Sequence, residues 1–228
     1  MTAADKVRLL ALAKRAALAG GQLLLNEWTP AGPNQAVRAS VGTKSTRTDL
    51  VTAADRASEA LIVETLLAER PDDAVVGEEG GNRPGKSGLT WVIDPLDGTV
   101  NYVYGFPVFC VSVACRDEDG VLVGVVHDPV RRETFTASTG QGAACNGRRL
   151  VLADGPVLAE ALIGTGFGYS SARRHVQAKL LAAVLPAVRD IRRAGSAALD
   201  LCWVASGRLD GIFEAGRRNG TRPPGHSS

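Results

Sequence analysis

One stretch in the middle of the chain, residues 91–99, restricts the possible folds more than any other. It begins with an apolar run that is typical of a buried strand, and it continues through Asp94, Pro95 and Asp97. The proline ring fixes its own backbone angle, so both carboxylates stand at a defined junction with the next segment. Gly98 and Thr99 begin that segment with amide groups that can face an anion. By itself, the stretch is consistent with a polar turn and equally with a site for a hard cation such as Mg²⁺.

Composition narrows the classes of function. The 228 residues include 26 basic and 24 acidic side chains, and this near balance gives no indication of a nucleic-acid or membrane partner. No apolar run reaches membrane-spanning length and the first residues lack the order of a signal peptide, so we expect a cytoplasmic protein. A zinc site or a disulfide framework is not expected, because the four cysteines are scattered along the chain. With only three histidines, the chemistry must depend on carboxylates.

The spacing of apolar residues predicts a layered α/β or α+β protein. Helical periodicity covers residues 5–28, 52–70 and 172–187, and a buried helix that ends at a glycine is predicted over 195–207. Thr2 with Asp5 forms a capping-box pattern at the first helix, and Thr52 with Asp55 forms another at the second. Short apolar runs separated by tight turns over residues 108–147 indicate an antiparallel meander. Further strands are predicted at residues 75–77, 91–93, 190–193 and 210–214.

Carboxylates follow several of these predicted strands, at Glu78, Asp94, Asp97 and Glu214. Glu79 lies directly beside Glu78, and adjacent carboxylates repel each other unless water or a cation is nearby. Asp55 falls in the first turn of its predicted helix, where the helix dipole favours an acid, so capping alone also accounts for it. The gathering of acids at separate strand ends favours a divalent-metal site over simple turns.

Three separated blocks place these acids in a specific order: D-L-V-T-A-A-D at residues 49–55, G-E-E at 77–79 and W-V-I-D-P-L-D-G-T-V-N at 91–101. Weaker support comes from G-S-A-A at 195–198 and G-R-L-D-G at 207–211. On these motifs, the chain resembles the inositol monophosphatase family of Mg²⁺-dependent, lithium-sensitive phosphatases over about residues 6–216, and most of all the bacterial inositol-1-monophosphatases. The resemblance implies an alternating α/β/α/β/α sandwich and, as is usual in that family, a homodimer. We accordingly expect residues 1–152 to form a helix pair and an antiparallel sheet that carry the metal site, and residues 153–228 to form a substrate-side α/β part.

The resemblance also implies a role for each matching residue. The ligands of two Mg²⁺ ions would be Glu78, Asp94, the carbonyl group of Leu96, and Asp97. The residues that orient the attacking water or order other metal-bound waters would be Asp55, Glu78, Glu79 and Thr99. The residues that contact the substrate would be Gly98, Thr99, Gly195, Ser196, Ala197 and Glu214. Of these, the first two would donate backbone amides to the phosphate, and the last would bond a hydroxyl group of the polyol.

The implied reaction is Mg²⁺-dependent hydrolysis of a small polyol phosphate, most simply myo-inositol 1-phosphate, by a metal-activated water. Histidinol phosphate, fructose 1,6-bisphosphate and nucleotide phosphates are competing substrates within the same chemistry. A phosphatase with an aspartyl nucleophile is rejected, since its D-x-D-x-T pattern is replaced here by D-x-x-D-x-T. A catalytically silent regulatory or interaction protein with the same fold is a separate alternative.

The tail departs from the family pattern. In the family, a W-D-x-A-A-G motif follows the strand that ends like Phe213 and Glu214, and its aspartate binds the second metal. No carboxylate follows Glu214 in this chain. GC-rich codons for residues 217–225 would encode A-E-W-D-P-A-A-G in a shifted frame, so we hypothesise a frameshift just after Glu214 and an incomplete C-terminal part. We accordingly expect weak binding of the second ion and weak or absent activity from this chain.

Overall fold

The computed structural model describes residues 1–30, 53–78, 82–152 and 154–214, together with the backbone of residues 42–43 and 50–51. Within these ranges the α-helices are α1 (Ala3–Glu27), α2 (Ala53–Glu69), α3 (Thr99–Val103), α4 (Ser171–Val184) and α5 (Ala197–Ala205). The strands are β1 (Gly42–Thr43), β2 (Leu50–Val51), β3 (Ala74–Gly77), β4 (Thr90–Asp97), β5 (Cys110–Arg116), β6 (Val121–Asp128), β7 (Glu133–Ser138), β8 (Gly142–Cys145), β9 (Arg148–Arg149), β10 (Leu162–Thr165), β11 (Asp190–Arg192) and β12 (Gly211–Phe213). Thr52, Glu79 and the tail that follows Glu214 lie outside the described residues. The structure therefore does not test the capping box at Thr52, the role of Glu79 or the frameshift in the tail.

A seven-stranded sheet, in the order β3-β4-β5-β6-β7-β8-β9, forms the larger half of the structure. The antiparallel meander predicted over residues 108–147 is confirmed from β5 to β8, and antiparallel pairing continues to β4 on one side and to β9 on the other. At the other edge the prediction of an antiparallel sheet is wrong, because β3 pairs with β4 in parallel. The chain leaves β3 and returns along its outer edge, where Arg83 bridges Val75 in the antiparallel sense. A further reversal then brings the chain into β4 in the same direction as β3.

Two helices, α1 and α2, cover the main core. Their approach is close at Gly20, where a Cβ atom would lie 2.8 Å from Cδ1 of Ile62. The predicted capping box begins α1: the Thr2 hydroxyl accepts from the Asp5 amide at 3.1 Å, and the Asp5 carboxylate accepts from the Thr2 amide at 3.0 Å. Trp91, the first residue of the stretch over residues 91–99, is fully buried. Among the described helices, α1 included, none has both the length and the hydropathy needed to cross a bilayer.

The smaller half contains a parallel three-stranded sheet in the order β11-β10-β12, with α4 and α5 beside it. The structure as a whole is therefore the layered α/β arrangement that the sequence predicts. One prediction about this half is wrong: the helix over residues 195–207 is not buried as a whole. Leu199 and Asp200 are buried in α5, but Leu201 is 52% exposed, since the helix packs against the rest of the described chain along one side only.

Candidate active site

The loop that carries the first acids is fixed by its own hydrogen bonds. Strand β4 continues through the acidic motif with a register shift in its pairing to β5. The Ser58 hydroxyl of α2 donates to the carbonyl oxygen of Pro95 at 3.0 Å. The Leu96 amide donates to the Asp94 carboxylate at 3.3 Å, and the Thr99 hydroxyl donates to the Leu96 carbonyl oxygen at 3.0 Å. These bonds hold the Asp94 carboxylate and the Leu96 carbonyl in set positions.

Position 98, at the turn of this loop, requires a glycine. Its φ of 97° lies in the left-handed region, which costs an L-residue about 1–2 kcal/mol. A Cβ atom there would also lie 2.8 Å from the carbonyl oxygen of Val108 and 3.2 Å from Cα of Phe109. The glycine immediately precedes α3, so the backbone amides predicted to face the phosphate do begin a helix.

The carboxylate of Asp97 is held by the start of α5, on the other half of the structure. The Ser196 hydroxyl and the Ala198 amide both donate to its Oδ2 atom at 2.7 Å. Ser196 also caps α5 by accepting from the Leu199 amide at 3.3 Å, and it is only 1% exposed. The positive end of the helix dipole adds to this stabilisation of the carboxylate. Ser196 lines the cavity, as expected, and its hydroxyl also orients Asp97.

A second connection between the halves comes from Asn101 in α3. Its side-chain amide donates to the carbonyl oxygens of Val108 at 2.7 Å and Ala194 at 2.8 Å. Gly195 lies directly beside it with a φ of 91°, and a Cβ atom at Gly195 would be 2.9 Å from Nδ2 of Asn101. Sequence reasoning gave Asn101 no role, although it closes the D-P-L-D-G-T-V-N block.

The acids and the predicted substrate residues share one cavity of about 410 Å³. One wall comes from the ends of β3 and β4 and the start of α3, and the other comes from the loops after β10 and β11, the first turns of α4 and α5, and the end of β12. The residues that line it are Glu78, Asp94, Leu96, Asp97, Gly98, Thr99, Thr165, Gly166, Phe167, Gly168, Tyr169, Arg173, Arg193, Gly195, Ser196, Ala197, Asp200 and Glu214. Every predicted site residue that the structure describes is among them, except Asp55.

Electrostatic repulsion is concentrated at Asp94. Burial raises the pKa of this carboxyl group well above its usual range, and the negative charges of Asp97, Glu78 and Asp55 raise it further. The hydrogen bond from the Leu96 amide acts in the opposite direction but is the weakest of these influences. Within the described ranges, no three His, Cys, Asp or Glu side chains already form a closed arrangement that could hold a metal ion. The acids thus lie near enough to repel one another, with one oxygen of Asp97 directed towards α5.

Asp55 lies outside the cavity lining, on α2, and is only 2% exposed. One turn later on the same helix is Glu59, which is 6% exposed and which sequence reasoning missed. The carboxylate of Glu59 packs on Gly77, where a Cβ atom would lie 2.7 Å from its carboxyl carbon. A glycine immediately before Glu78 therefore makes room for this buried acid. The glycine of the G-E-E motif could have indicated a close contact at this position. That the contact is with Glu59 follows only from the packing of α2 on β3.

Glu214 reaches the cavity across the small sheet. A Cβ atom on Gly166 would lie 2.7 Å from its carboxyl carbon, so the absence of a side chain there admits the carboxylate. Thr165, in register with Phe213, donates its hydroxyl hydrogen to the Phe213 carbonyl oxygen at 3.0 Å. The loop over residues 165–169 was not predicted as part of the site, because nothing in its sequence pairs it with the strand before Glu214.

Comparisons with known proteins show which proteins this chain is similar to. The model of the "Inositol monophosphatase family" matches residues 5–221. The Mycobacterium tuberculosis (strain H37Rv) protein named "Inositol-1-monophosphatase SuhB" is 46% identical over 186 residues, which cover 78% of this chain and 64% of that protein. The Pasteurella multocida protein named "Nus factor SuhB" is 47% identical over 175 residues, which cover 76% of this chain and 65% of that protein. The chain thus spans a little under two thirds of the length of these relatives.

A solved structure extends the comparison to the fold. The crystal structure of the extragenic suppressor protein SuhB from Bartonella henselae superposes with a TM-score of 0.81 at 33% sequence identity. The superposition covers 91% of this chain and 78% of that one. Both the large sheet and the smaller half therefore have counterparts in a single solved relative.

Proposed function

The chain belongs to the inositol monophosphatase family, and from that premise we propose that it hydrolyses a small phosphate monoester with Mg²⁺ as its cofactor. Myo-inositol 1-phosphate is the substrate that we favour. The observation that carries the proposal is the acid wall, by which we mean Glu78, Asp94 and Asp97 on one side of the cavity. Their mutual repulsion at Asp94 is what a bound divalent cation would relieve.

The donor set fits Mg²⁺ in its chemistry. Carboxylate and carbonyl oxygens are the hard ligands that this ion prefers, and the acid wall offers them together with the Leu96 carbonyl. When bound, Mg²⁺ supplies neutralisation of phosphate oxygens and acidification of a water molecule. We assign the ligand role to Glu78, Asp94, Asp97 and the carbonyl oxygen of Leu96. Glu79 and Asp55 remain predictions, as residues that order water around the ion.

The residues of the chain then position water and phosphate. The Thr99 hydroxyl gives its hydrogen to the Leu96 carbonyl, so its oxygen lone pairs are available to accept a hydrogen bond from water. Glu78 can accept the second hydrogen of that water, which orients the oxygen towards phosphorus. Gly98 and Thr99 donate their amides to the phosphate as the new bond forms. The bond from phosphorus to the ester oxygen breaks as the water oxygen bonds to phosphorus. One hydrogen of that water ends on the leaving oxygen and the other stays on phosphate, so the products are the free alcohol and inorganic phosphate.

Phosphate release from a panel of esters tests this proposal. The panel contains myo-inositol 1-phosphate, histidinol phosphate, fructose 1,6-bisphosphate and 2′-AMP, each with and without Mg²⁺. We expect phosphate release to require Mg²⁺. We also expect the rate of release to fall at least about 100-fold in Asp94→Asn, because Asp94 is a ligand on which the proposed metal site depends. Asp119→Asn, an exposed loop acid that does not line the cavity, is the matched control. Phosphate release that does not depend on Mg²⁺, or that is unchanged in Asp94→Asn, would overturn the assignment.

A second candidate is a regulatory or interaction role without hydrolysis. It is favoured by relatives such as the Pasteurella multocida protein, which is named a Nus factor. The same panel separates the two functions. A chain whose unfolding temperature rises with Mg²⁺, but which releases no phosphate from any ester, would favour this second role.

A further inference from the structure

Besides its acids, the cavity is lined by two arginines, Arg173 and Arg193, which belong to the same half of the structure as Asp200 and Glu214. Arg173 lies in the first turn of α4, and Arg193 directly follows β11. Among the described residues, neither guanidinium group makes a hydrogen bond or an ion pair, whereas Arg192 next to Arg193 bonds to Asp190 at 2.5 Å. Within the part of the chain that the structure describes, the two arginines are therefore positive charges without a bonded partner, in a cavity otherwise rich in acids.

Both side chains are directed along defined paths. A Cβ atom on Gly168 would overlap Cδ of Arg173, so the stem of that arginine crosses the glycine. Gly168 is itself fixed, since its amide donates to the buried Gln177 side chain at 2.9 Å. In the same way, a Cβ atom on Gly195 would lie 2.7 Å from Nη1 of Arg193. The absence of a side chain at each glycine gives each guanidinium its place in the cavity.

We propose that Arg173 and Arg193 form a second anion subsite, so that the cavity also accepts a small polyol ester with a second phosphate and binds it more tightly than myo-inositol 1-phosphate. The proposal rests on the proposed phosphatase function of the same cavity. A planar guanidinium matches two phosphate oxygens at once, and the positive end of the α4 dipole lies beside Arg173. A phosphate held at the acid wall through a cation leaves these two charges unused. A second anionic group on the same molecule would engage them.

Two esters that differ only in the second phosphate test the subsite: myo-inositol 1-phosphate and myo-inositol 1,4-bisphosphate. Their Kd values are measured by titration calorimetry with Ca²⁺ in place of Mg²⁺, while phosphate release is monitored so that consumed ligand is detected. Steady-state turnover of both esters is measured separately with Mg²⁺. We expect the bisphosphate to bind about tenfold more tightly, as charge-assisted bonds to one additional phosphate would give.

Neighbouring arginines provide matched controls. Arg173→Ala and Arg193→Ala should each reduce the preference for the bisphosphate several-fold, and the double variant should abolish it, with the Kd of the monophosphate unchanged within twofold. Arg174→Ala and Arg192→Ala remove the same charge one residue away from the cavity lining and should keep the full preference. Thermal unfolding of every variant shows whether it is folded.

The outcomes separate this proposal from the proposed function. Equal Kd values for the two esters in the unaltered chain, or a preference that survives the double variant, would refute the subsite even if the monophosphate is hydrolysed. A preference that depends on both arginines, without turnover of either ester, would support the subsite and refute the phosphatase. Failure to bind or hydrolyse either ester would refute both.

Discussion

Replacement of Ser196 by alanine tests the contact that joins the two halves at the site. The hydroxyl has two tasks: it donates to the Asp97 carboxylate at 2.7 Å, and it caps α5 through the Leu199 amide. A hydrogen bond to a charged group contributes about 1.5–3 kcal/mol, and loss of an N-cap costs about 1 kcal/mol. Because one hydroxyl performs both tasks, we expect Ser196→Ala to lower the free energy of unfolding by about 3 kcal/mol. In a chain of this size that corresponds to a fall in Tm of about 6–12 °C.

Urea denaturation and thermal unfolding measure this loss, and Ser206→Ala is the matched control. Ser206 caps the other end of the same helix, and its hydroxyl donates to the Trp203 carbonyl oxygen at 3.2 Å. Since that bond links neutral groups, its loss should cost about 1 kcal/mol or less. A double-mutant cycle of Ser196→Ala with Asp97→Asn isolates the charged bond, with an expected coupling of about 1.5–3 kcal/mol. Coupling below about 0.5 kcal/mol, or equal losses for the two serines, would refute the role given to Ser196.

Three further predictions concern pH, backbone strain and metal. Burial lowers the pKa of His127 from 6.5, so the unfolded chain takes up a proton at a higher pH than the folded chain does. The free energy of unfolding should therefore fall as the pH drops below about 6.5. His127→Gln should reduce the change of the urea midpoint between pH 7.5 and 5.5. Gly98→Ala should cost more than about 3 kcal/mol in urea denaturation, against about 1 kcal/mol for Gly140→Ala, which has a similar φ but open space around it. Mg²⁺ at 100 times its Kd should raise the Tm by about 5–10 °C, and a chelator, or Asp94→Asn, should remove the increase.

Local patterns were sufficient for the elements and for the acids. The capping box of Thr2 and Asp5, the meander and the strand end at Glu78 follow from spacing over a few residues, and the structure contains each of them. Asp94 was expected to follow its strand, but β4 continues through it to Asp97. The direction of β3 did not follow from its sequence, because a four-residue apolar run contains no information about which way its partner runs. The exposure of Leu201 was likewise hidden, since burial depends on what packs over a helix and not on its own hydropathy.

The less predictable half of the site depends on contacts between distant segments. Ser196 holds Asp97 across 99 residues of sequence, and Asn101 holds the Ala194 carbonyl across 93. Arg173 and Arg193 belong to the cavity only because β10 and β11 are neighbours in the small sheet. None of these contacts produces a periodic pattern in the sequence. The part of the site that they form could therefore be identified only from the folded structure.

The bond between Asp97 and Ser196 also implies an order of assembly. Strands β4 to β9 each pair with the next one along the chain, so these contacts need only short loops to close and can form early. The donors to Asp97 belong to α5, which leaves the ribosome about a hundred residues after that carboxylate. A nascent chain that has completed its meander has therefore made all three acids of the wall but cannot yet orient the last of them. On the proposed function, magnesium binding would begin only after α5 has docked, so that a partly synthesised chain would neither compete for the ion nor attack esters.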